Sequence, residues 1–178
     1  MKAAAVDMDV PFDERRVIVR HGDDGMEMVE LPWGLKPLMP GGRPADLVRS
    51  EGRTFPSHRC LVPASEFRLV HRGRRYRFSL ADGNWFYFAG IWRPASADWP
   101  EAYAILTVAA NEDVAICQDR QMAVVRRPER MAWLDLARPG HELLQPLPKG
   151  SFRVDKVLAG QPVAHSVEAQ SVDARRSA

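Results

Sequence analysis

Cysteine is scarce in this chain, which contains only Cys60 and Cys117 among its 178 residues. Two cysteines cannot form the disulfide framework that stabilises small secreted proteins. The chain also lacks any apolar run of about 18 residues, the length that a transmembrane helix requires. Residues 1–6 are too few, and too soon followed by acidic side chains, to form a signal peptide. We therefore predict a cytoplasmic protein that has no membrane partner.

Lysine is also rare, because nearly all of the 25 Lys and Arg residues are arginines. The lysines are Lys2, Lys36, Lys149 and Lys156. With 23 acidic residues the net charge is +2, which does not by itself require a polyanionic partner. A GC-rich coding sequence is the simpler explanation of the bias towards arginine. Selection for planar, bidentate recognition of phosphate is the alternative.

Motifs of metal, nucleotide and nucleophile sites are missing as well. His58, Cys60 and His71 do not have the spacing of zinc ligands, and no glycine-rich phosphate loop or nucleophile elbow is present. Cys60 lies in a strand-like run, which favours a buried apolar role. Cys117 could react only if the fold brought a base close to its thiol. We expect neither a metal nor a cofactor.

The segment 58–94 contains three consecutive strand patterns. Residues 66–71 and 74–80 alternate apolar and polar side chains, and residues 85–92 are apolar on both faces, as in a covered central strand. Arg72-Gly73 and the sequence 81–84 provide the turns between them. Arg68, Arg75 and Arg77 line one face of this sheet. A solvated face is the favoured interpretation, and a basic track for phosphates is the alternative.

The rest of the chain predicts further short elements around this sheet. Strands are predicted at 16–20, 26–31, 102–110, 122–125 and 152–154, and short helices at 128–134 and 139–144. Residues 45–51 predict one or two helical turns. The length and the 46% apolar content are typical of one soluble domain, which we place at residues 1–160. Residues 161–178, rich in Ala, Ser, Gln and Val, predict a disordered tail.

Six short motifs follow one another in the order seen in a known family. They are Trp33-Gly34-Leu35 before Pro37, Arg49-Ser50-Glu51, RCLVPA at 59–64, FAGIW at 88–92, Ala109-Ala110-Asn111-Glu112, and Asp119-Arg120. Each motif is unspecific by itself, but six in one order are specific. On these motifs the chain resembles the SOS-response-associated peptidase (SRAP) family over about residues 17–157.

The resemblance implies an α+β fold in which a curved, mainly antiparallel β-sheet or open barrel carries a few short helices. It implies binding of single-stranded DNA at abasic sites during the DNA damage response. We expect the protein to be a monomer. Active members form a DNA–protein crosslink, because the amine and thiol of a cysteine at position 2 close a thiazolidine with the sugar aldehyde. The same cysteine is thought to cleave its own leader peptide. An asparagine, a glutamate and a histidine support this chemistry.

This chain departs from the family pattern at each of those catalytic positions. Lys2 replaces the cysteine, Leu47 the asparagine, Leu69 the glutamate and Gln118 the histidine. A lysine can form a Schiff base with an aldehyde but cannot close a thiazolidine. Leucine cannot orient an amine by hydrogen bonding, and glutamine cannot shuttle protons near neutral pH. The substitutions therefore predict a pseudoenzyme in which the crosslinking and hydrolase (self-peptidase) activities are lost or impaired.

A remnant of the catalytic pocket is still expected. Glu66, three residues before Leu69, and Gln118 are the residues that we expect to line it. Only 32 residues precede Trp33, so the opening strand of the family is expected to be missing.

The resemblance also assigns a set of DNA-binding residues. They are Trp33, Gly34, Arg49, Ser50, Glu51, Asp119 and Arg120. Arg49 and Arg120 would hold phosphates, or they would form structural ion pairs with Glu51 and Asp119. Trp33 would stack on an unpaired base or pack against the core.

Two other functions remain as alternatives to DNA binding without catalysis. The chain could be an interaction module that no longer binds DNA. It could also retain Schiff-base chemistry through its terminal amine or Lys2.

Overall fold

The computed structural model describes residues 4–7 and 15–157, which form eleven strands and four short helical segments. The strands are β1 (Ala4–Asp7), β2 (Arg15–Gly22), β3 (Gly25–Pro32), β4 (Leu47–Arg49), β5 (Arg59–His71), β6 (Arg74–Leu80), β7 (Phe86–Arg93), β8 (Ala102–Ala109), β9 (Arg120–Met122), β10 (Val124–Val125) and β11 (Phe152–Val157). The helices are α1 (Glu112–Ala115), α2 (Arg130–Leu134), preceded by a 3-10 turn at Arg127–Glu129, and α3 (Gly140–Leu143). Lys2 and the expected tail at 161–178 lie outside the described residues.

One sheet contains all of these strands, in the central order β11-β6-β5-β7-β8-β4. Its pairs are antiparallel except for β1 on β5 and β4 on β8. The predicted fold class, a curved and mainly antiparallel sheet with a few short helices, is therefore confirmed. No helix within the described ranges is long and apolar enough to cross a bilayer.

The thirteen-residue strand β5 explains the curvature of the sheet. Its first half, 59–64, pairs with β7, and its second half, 67–71, pairs with β6. Strand β2 adds to the first half and β1 to the middle. Because β5 exchanges its neighbours halfway along, the sheet bends at this strand.

Both faces of the central strands are covered, which is why their sequences are apolar without alternation. Cys60 and Val62 point into one buried cluster, and Leu61, between them, points into the other. The first cluster contains the stacked rings of Phe67 and Phe78, whose centroids lie 4.9 Å apart. The helices α2 and α3 cover the second cluster, where the Trp133 indole donates a hydrogen bond of 2.9 Å to the Cys60 carbonyl.

Two predictions of local structure were wrong. Residues 45–51 do not form a helix, because Leu47–Arg49 pairs with β8 as a parallel strand and the Asp46 carboxylate accepts a hydrogen bond from the Leu47 amide. This pairing overrides the weak local helix preference. An opening strand was not expected, yet residues 4–7 form β1 on β5.

We predict that Gly90→Ala lowers the free energy of unfolding by about 1–3 kcal/mol, the usual cost of overpacking. A β-carbon at this position would lie 2.8 Å from the Cys60 sulfur and 2.9 Å from the Ala104 carbonyl oxygen. Gly140→Ala is the matched control, since its nearest neighbours would lie at an ordinary 3.5 Å. Urea unfolding measures both variants. Equal stability of Gly90→Ala and the wild type would contradict the close packing of β5, β7 and β8.

Candidate nucleic-acid interface

Three segments that are distant in sequence meet at the end of β8. Strand β4 pairs with β8 so that Arg49 lies opposite Thr107, and β9 pairs so that Arg120 lies opposite Ala109. The Arg-Ser-Glu motif and the Asp-Arg motif are therefore brought together on neighbouring strands. We call Arg49, Ser50, Glu51 and Arg120 the β8-edge cluster.

A bidentate ion pair between Arg120 and Glu51 closes this cluster. The Arg120 guanidinium donates hydrogen bonds of 3.0 and 2.7 Å to the two carboxylate oxygens of Glu51. It also donates to the carbonyl oxygen and hydroxyl of Thr107, at 2.7 and 3.0 Å. Glu51 in turn accepts a hydrogen bond of 3.1 Å from the Ala109 amide. Of the two predicted roles for Arg120, the geometry supports the structural ion pair.

The same contacts set the protonation state of Glu51. Its side chain is about half exposed, at 48%, and hydrogen bonding from Arg120 is the largest cause that lowers its pKa below the usual range. Burial opposes this shift, and the charge of Arg49 adds a smaller effect in the same direction. The lowered pKa keeps the Glu51 carboxylate ionised at neutral pH.

Arg49 and Ser50 occupy different environments within the cluster. Ser50 is buried, and both its amide and its hydroxyl donate to the Thr107 carbonyl, at 3.0 and 2.9 Å. Arg49 is exposed and forms no ion pair within the described residues. Arg49 is thus the cation of the cluster that is available to a phosphate.

Asp119 and Gln118 support the start of β9. The Asp119 carbonyl accepts the Ala110 amide at 2.9 Å, and its exposed carboxylate forms no ion pair in the part of the chain that the structure describes. The predicted pairing of Asp119 with an arginine is therefore not observed there. Gln118 donates through Nε2 to the Arg120 carbonyl at 2.6 Å.

Trp33 and Gly34 form an anchored loop against β8. The Trp33 indole is 2% exposed and donates to the Asp46 carbonyl at 2.8 Å. Gly34 has a φ of +132°, which favours glycine, and its amide donates to the Tyr103 carbonyl at 2.7 Å. Of the two predicted roles for Trp33, the structure supports packing in the core, since neither face of the buried ring is open to a base.

The two expected remnant catalytic residues, Glu66 and Gln118, have separate hydrogen-bond partners. Glu66 lies on the outer face of β5, where its carboxylate binds Arg68 at 2.7 Å, and Leu69 lies in the core at 3% exposed. No hydrogen bond or ion pair joins Glu66 to Gln118 among the residues described. A β-strand places neighbouring side chains on opposite faces, so Glu66 cannot replace a glutamate at 69 without a shift in register.

The arginine-lined face of β5 and β6 is largely neutralised. Arg68 binds Glu66, and Asp155 binds both Arg77 at 2.8 Å and Arg153 at 3.2 Å. For Arg68 and Arg77 these contacts support the solvated face that the sequence favoured, whereas Arg75 forms no ion pair among the described residues.

Neither thiol has the environment of a nucleophile. Cys60 is completely buried, and burial raises its pKa far above the usual range of a thiol. Burial also raises the pKa of Cys117. Within the described ranges, no three His, Cys, Asp or Glu side chains come together as metal ligands.

Thr107 is the site residue that the sequence analysis missed. It joins Ser50 to Arg120 through its carbonyl oxygen. The available signal was a hydroxyl that interrupts the apolar run at 102–110.

We predict a coupling energy of about 0.5–1 kcal/mol between Arg120 and Glu51, a value discounted for solvent screening of a half-exposed pair. A double-mutant cycle with Arg120→Gln and Glu51→Gln measures it by urea unfolding. The exposed Arg138–Glu142 pair, joined by one contact of 3.2 Å, is the matched control and should couple more weakly.

The pH dependence follows from the lowered pKa of Glu51. A carboxyl whose pKa is lower in the folded protein stabilises the fold above its unfolded pKa of about 4.3, and this contribution is lost as the pH falls through the folded value. The coupling should therefore persist at pH 7 and disappear in strong acid. A coupling that is equal at both pH values would contradict the ion pair.

Comparisons with known proteins identify the family. The family model of SOS response associated peptidase (SRAP) matches residues 49–168, which include the β8-edge cluster. No curated protein matches the chain.

Solved structures share the fold at low sequence identity. A protein from Bacteroides thetaiotaomicron is 19% identical with a TM-score of 0.65, and the alignment covers 83% of this chain and 75% of that one. A Bordetella bronchiseptica protein is 20% identical with a TM-score of 0.66, over 88% of this chain and 91% of that one. A phage-related protein from the same organism is 22% identical with a TM-score of 0.64, over 83% and 80%. The family match extends over most of the sheet and both charged motifs, and the chain therefore belongs to the SOS response associated peptidase (SRAP) family.

Proposed function

We propose that this protein binds single-stranded DNA at abasic sites without forming a covalent bond. The family associates the chain with the DNA damage response and with DNA. The observation that carries the proposal is the β8-edge cluster, which presents an exposed Arg49 on a strand fixed by the Arg120–Glu51 pair. The cysteine-based crosslinking and self-cleavage of the family are, in this proposal, lost.

Arg49 has the properties of a phosphate contact. The backbone on either side of Arg49 is fixed, because β4 is paired with β8 and Ser50 is hydrogen-bonded to Thr107. A cation on a fixed strand loses little backbone entropy when it binds an anion. Arg120 acts as a positioning residue, since its guanidinium is already engaged by Glu51 and Thr107.

The positions that would support catalysis offer no such chemistry. Leu69 is buried in the first core cluster, and Leu47 packs against the same cluster. Neither leucine can donate a proton or accept one, and the Nε2 group of Gln118 is used by the Arg120 carbonyl. By the resemblance to the family, these two leucines stand where active members have an asparagine and a glutamate.

We predict that a single-stranded oligonucleotide with one abasic site shifts on a native gel but leaves no band on a denaturing gel. The first result follows from the exposed arginine, and the second from the missing catalytic groups. An intact oligonucleotide of the same sequence is the control for abasic-site preference. A band that survives denaturation would contradict the loss of chemistry. If borohydride is needed to trap that band, the Schiff-base alternative is favoured.

We also predict that Arg49→Gln weakens DNA binding about two- to five-fold at low salt, as expected for one exposed ion pair. The loss should be similar for all sequences, because a phosphate contact does not read the bases. Arg93→Gln is the matched control, since Arg93 is an exposed arginine at the other end of the sheet. Fluorescence anisotropy measures both affinities. Absence of DNA binding by the wild type at low salt would favour the interaction module instead.

A further inference from the structure

The turn between β5 and β6 carries the densest positive charge in the described part of the chain. We call its residues, His71, Arg72, Gly73, Arg74 and Arg75, the basic tip. All three arginines are exposed. From residue 67 to residue 81 the sequence contains no acidic residue.

Ion pairing does not neutralise this tip. The nearby acidic side chains, Glu66 and Asp155, are already bound to Arg68, Arg77 and Arg153 further along the sheet. Arg75 lies beside Val157 of β11 and opposite Val70 of β5, so its flanking partners are apolar. Among the described residues, the three tip arginines form no ion pair with an acid.

The backbone of the tip is strained at a residue that is poorly suited to it. His71 pairs with Arg74, so Arg72 and Gly73 form a two-residue hairpin loop, with φ values of +50° and +72°. Two positive φ values identify a type I′ turn, whose first central position favours Asn, Asp or Gly. An arginine there costs conformational free energy that asparagine would avoid. Backbone strain is often found at functional sites, so a positively charged residue at a strained position is a reason to look for an anionic ligand.

The tip lies beyond the same end of the sheet as the β8-edge cluster. Strands β5 and β8 run in the same direction, because both are antiparallel to β7. The cluster lies at the C-terminal end of β8, and the tip follows the C-terminal end of β5. Gly90 of β7 pairs with Cys60 of β5 on one side and with Ile105 of β8 on the other, so Cys60 and Ile105 lie at the same level of the sheet. Counted along β5 from that level, Arg72 lies about ten residues beyond the level of Thr107. At ~3.3 Å per residue this is at most about 33 Å, and less in a curved sheet.

We propose that the basic tip is a second phosphate-binding surface, which contacts the DNA backbone away from the β8-edge cluster. This inference rests on the proposed function for the identity of its ligand, although it uses none of the same residues. Arg72, Arg74 and Arg75 provide the donors, and the rigid hairpin holds them beyond the edge of the sheet. The tip extends the contact to longer strands and does not select the abasic site.

The sharpest test separates the charge of Arg72 from the stability of its turn. Arg72→Asn places a favoured residue at a type I′ position, so the melting temperature should stay the same or rise. It removes one phosphate contact, so the affinity for a long oligonucleotide should fall about two- to five-fold. The slope of log affinity against log salt should shrink by about 0.7, the value for one contact with a single strand. Arg72→Lys retains the charge and should retain the binding.

Two further variants and two oligonucleotide lengths complete the test. Arg75→Gln, outside the strained position, should weaken binding similarly, whereas Arg93→Gln should not. Binding is measured with oligonucleotides of about 20 and about 5 nucleotides. The first is longer than the stretch that one single-strand-binding domain usually covers, and the second is near the lower limit of that stretch. The losses should appear with the long oligonucleotide and be absent with the short one, which occupies only the β8-edge cluster.

Each remaining outcome overturns a defined part of the account. If Arg49→Gln weakens binding and both tip variants bind the long oligonucleotide like the wild type, the tip has no role in binding and only this inference fails. If the tip variants weaken the binding of the long and the short oligonucleotide equally, the tip belongs to a single continuous site. This result also contradicts a separate surface. If the wild type binds no oligonucleotide at low salt, the proposed function fails together with the inference.

Discussion

The hydrogen bonds around Thr107 hold the charged residues of this protein in one place. Its carbonyl oxygen accepts from Ser50 on one neighbouring segment and from Arg120 on the other. Arg120 then reaches Glu51, so that β4, β8 and β9 are joined by side chains as well as by their ladders. Because a bidentate pair fixes both orientation and distance, the exposed Arg49 is presented from a rigid edge.

The core of the sheet contains two of the positions at which the resemblance to the family predicts polar catalytic residues. Leu69 lies in the first hydrophobic cluster, and Leu47 packs against it. Apolar side chains gain free energy from burial there, whereas an isolated buried carboxylate would cost free energy. These two leucines therefore favour the stability of the sheet, and the exposed Arg49 lies at its edge. Binding of a polyanion at those sites needs no reactive group in the core.

Much of the fold could be predicted from sequence because its signals are local. Alternation predicted β6, the apolar run at 85–92 predicted a covered strand, and six ordered motifs predicted the family. Residues 45–51 could not be predicted in this way, since a three-residue parallel strand exists only through its pairing with β8. The partner of Arg120 and the burial of Trp33 also depend on distant contacts. The strain at Arg72 requires a φ value that no pattern of residues supplies.

The central claim is that DNA binding here is electrostatic and non-covalent. The most direct measurement is the dissociation constant of the wild type for a single-stranded abasic oligonucleotide across a series of salt concentrations. The account predicts reversible binding, in which the logarithm of the association constant falls linearly with the logarithm of the salt concentration. The slope should correspond to several phosphate contacts. Binding that does not change with salt, or that cannot be reversed by adding salt to the formed complex, would contradict it.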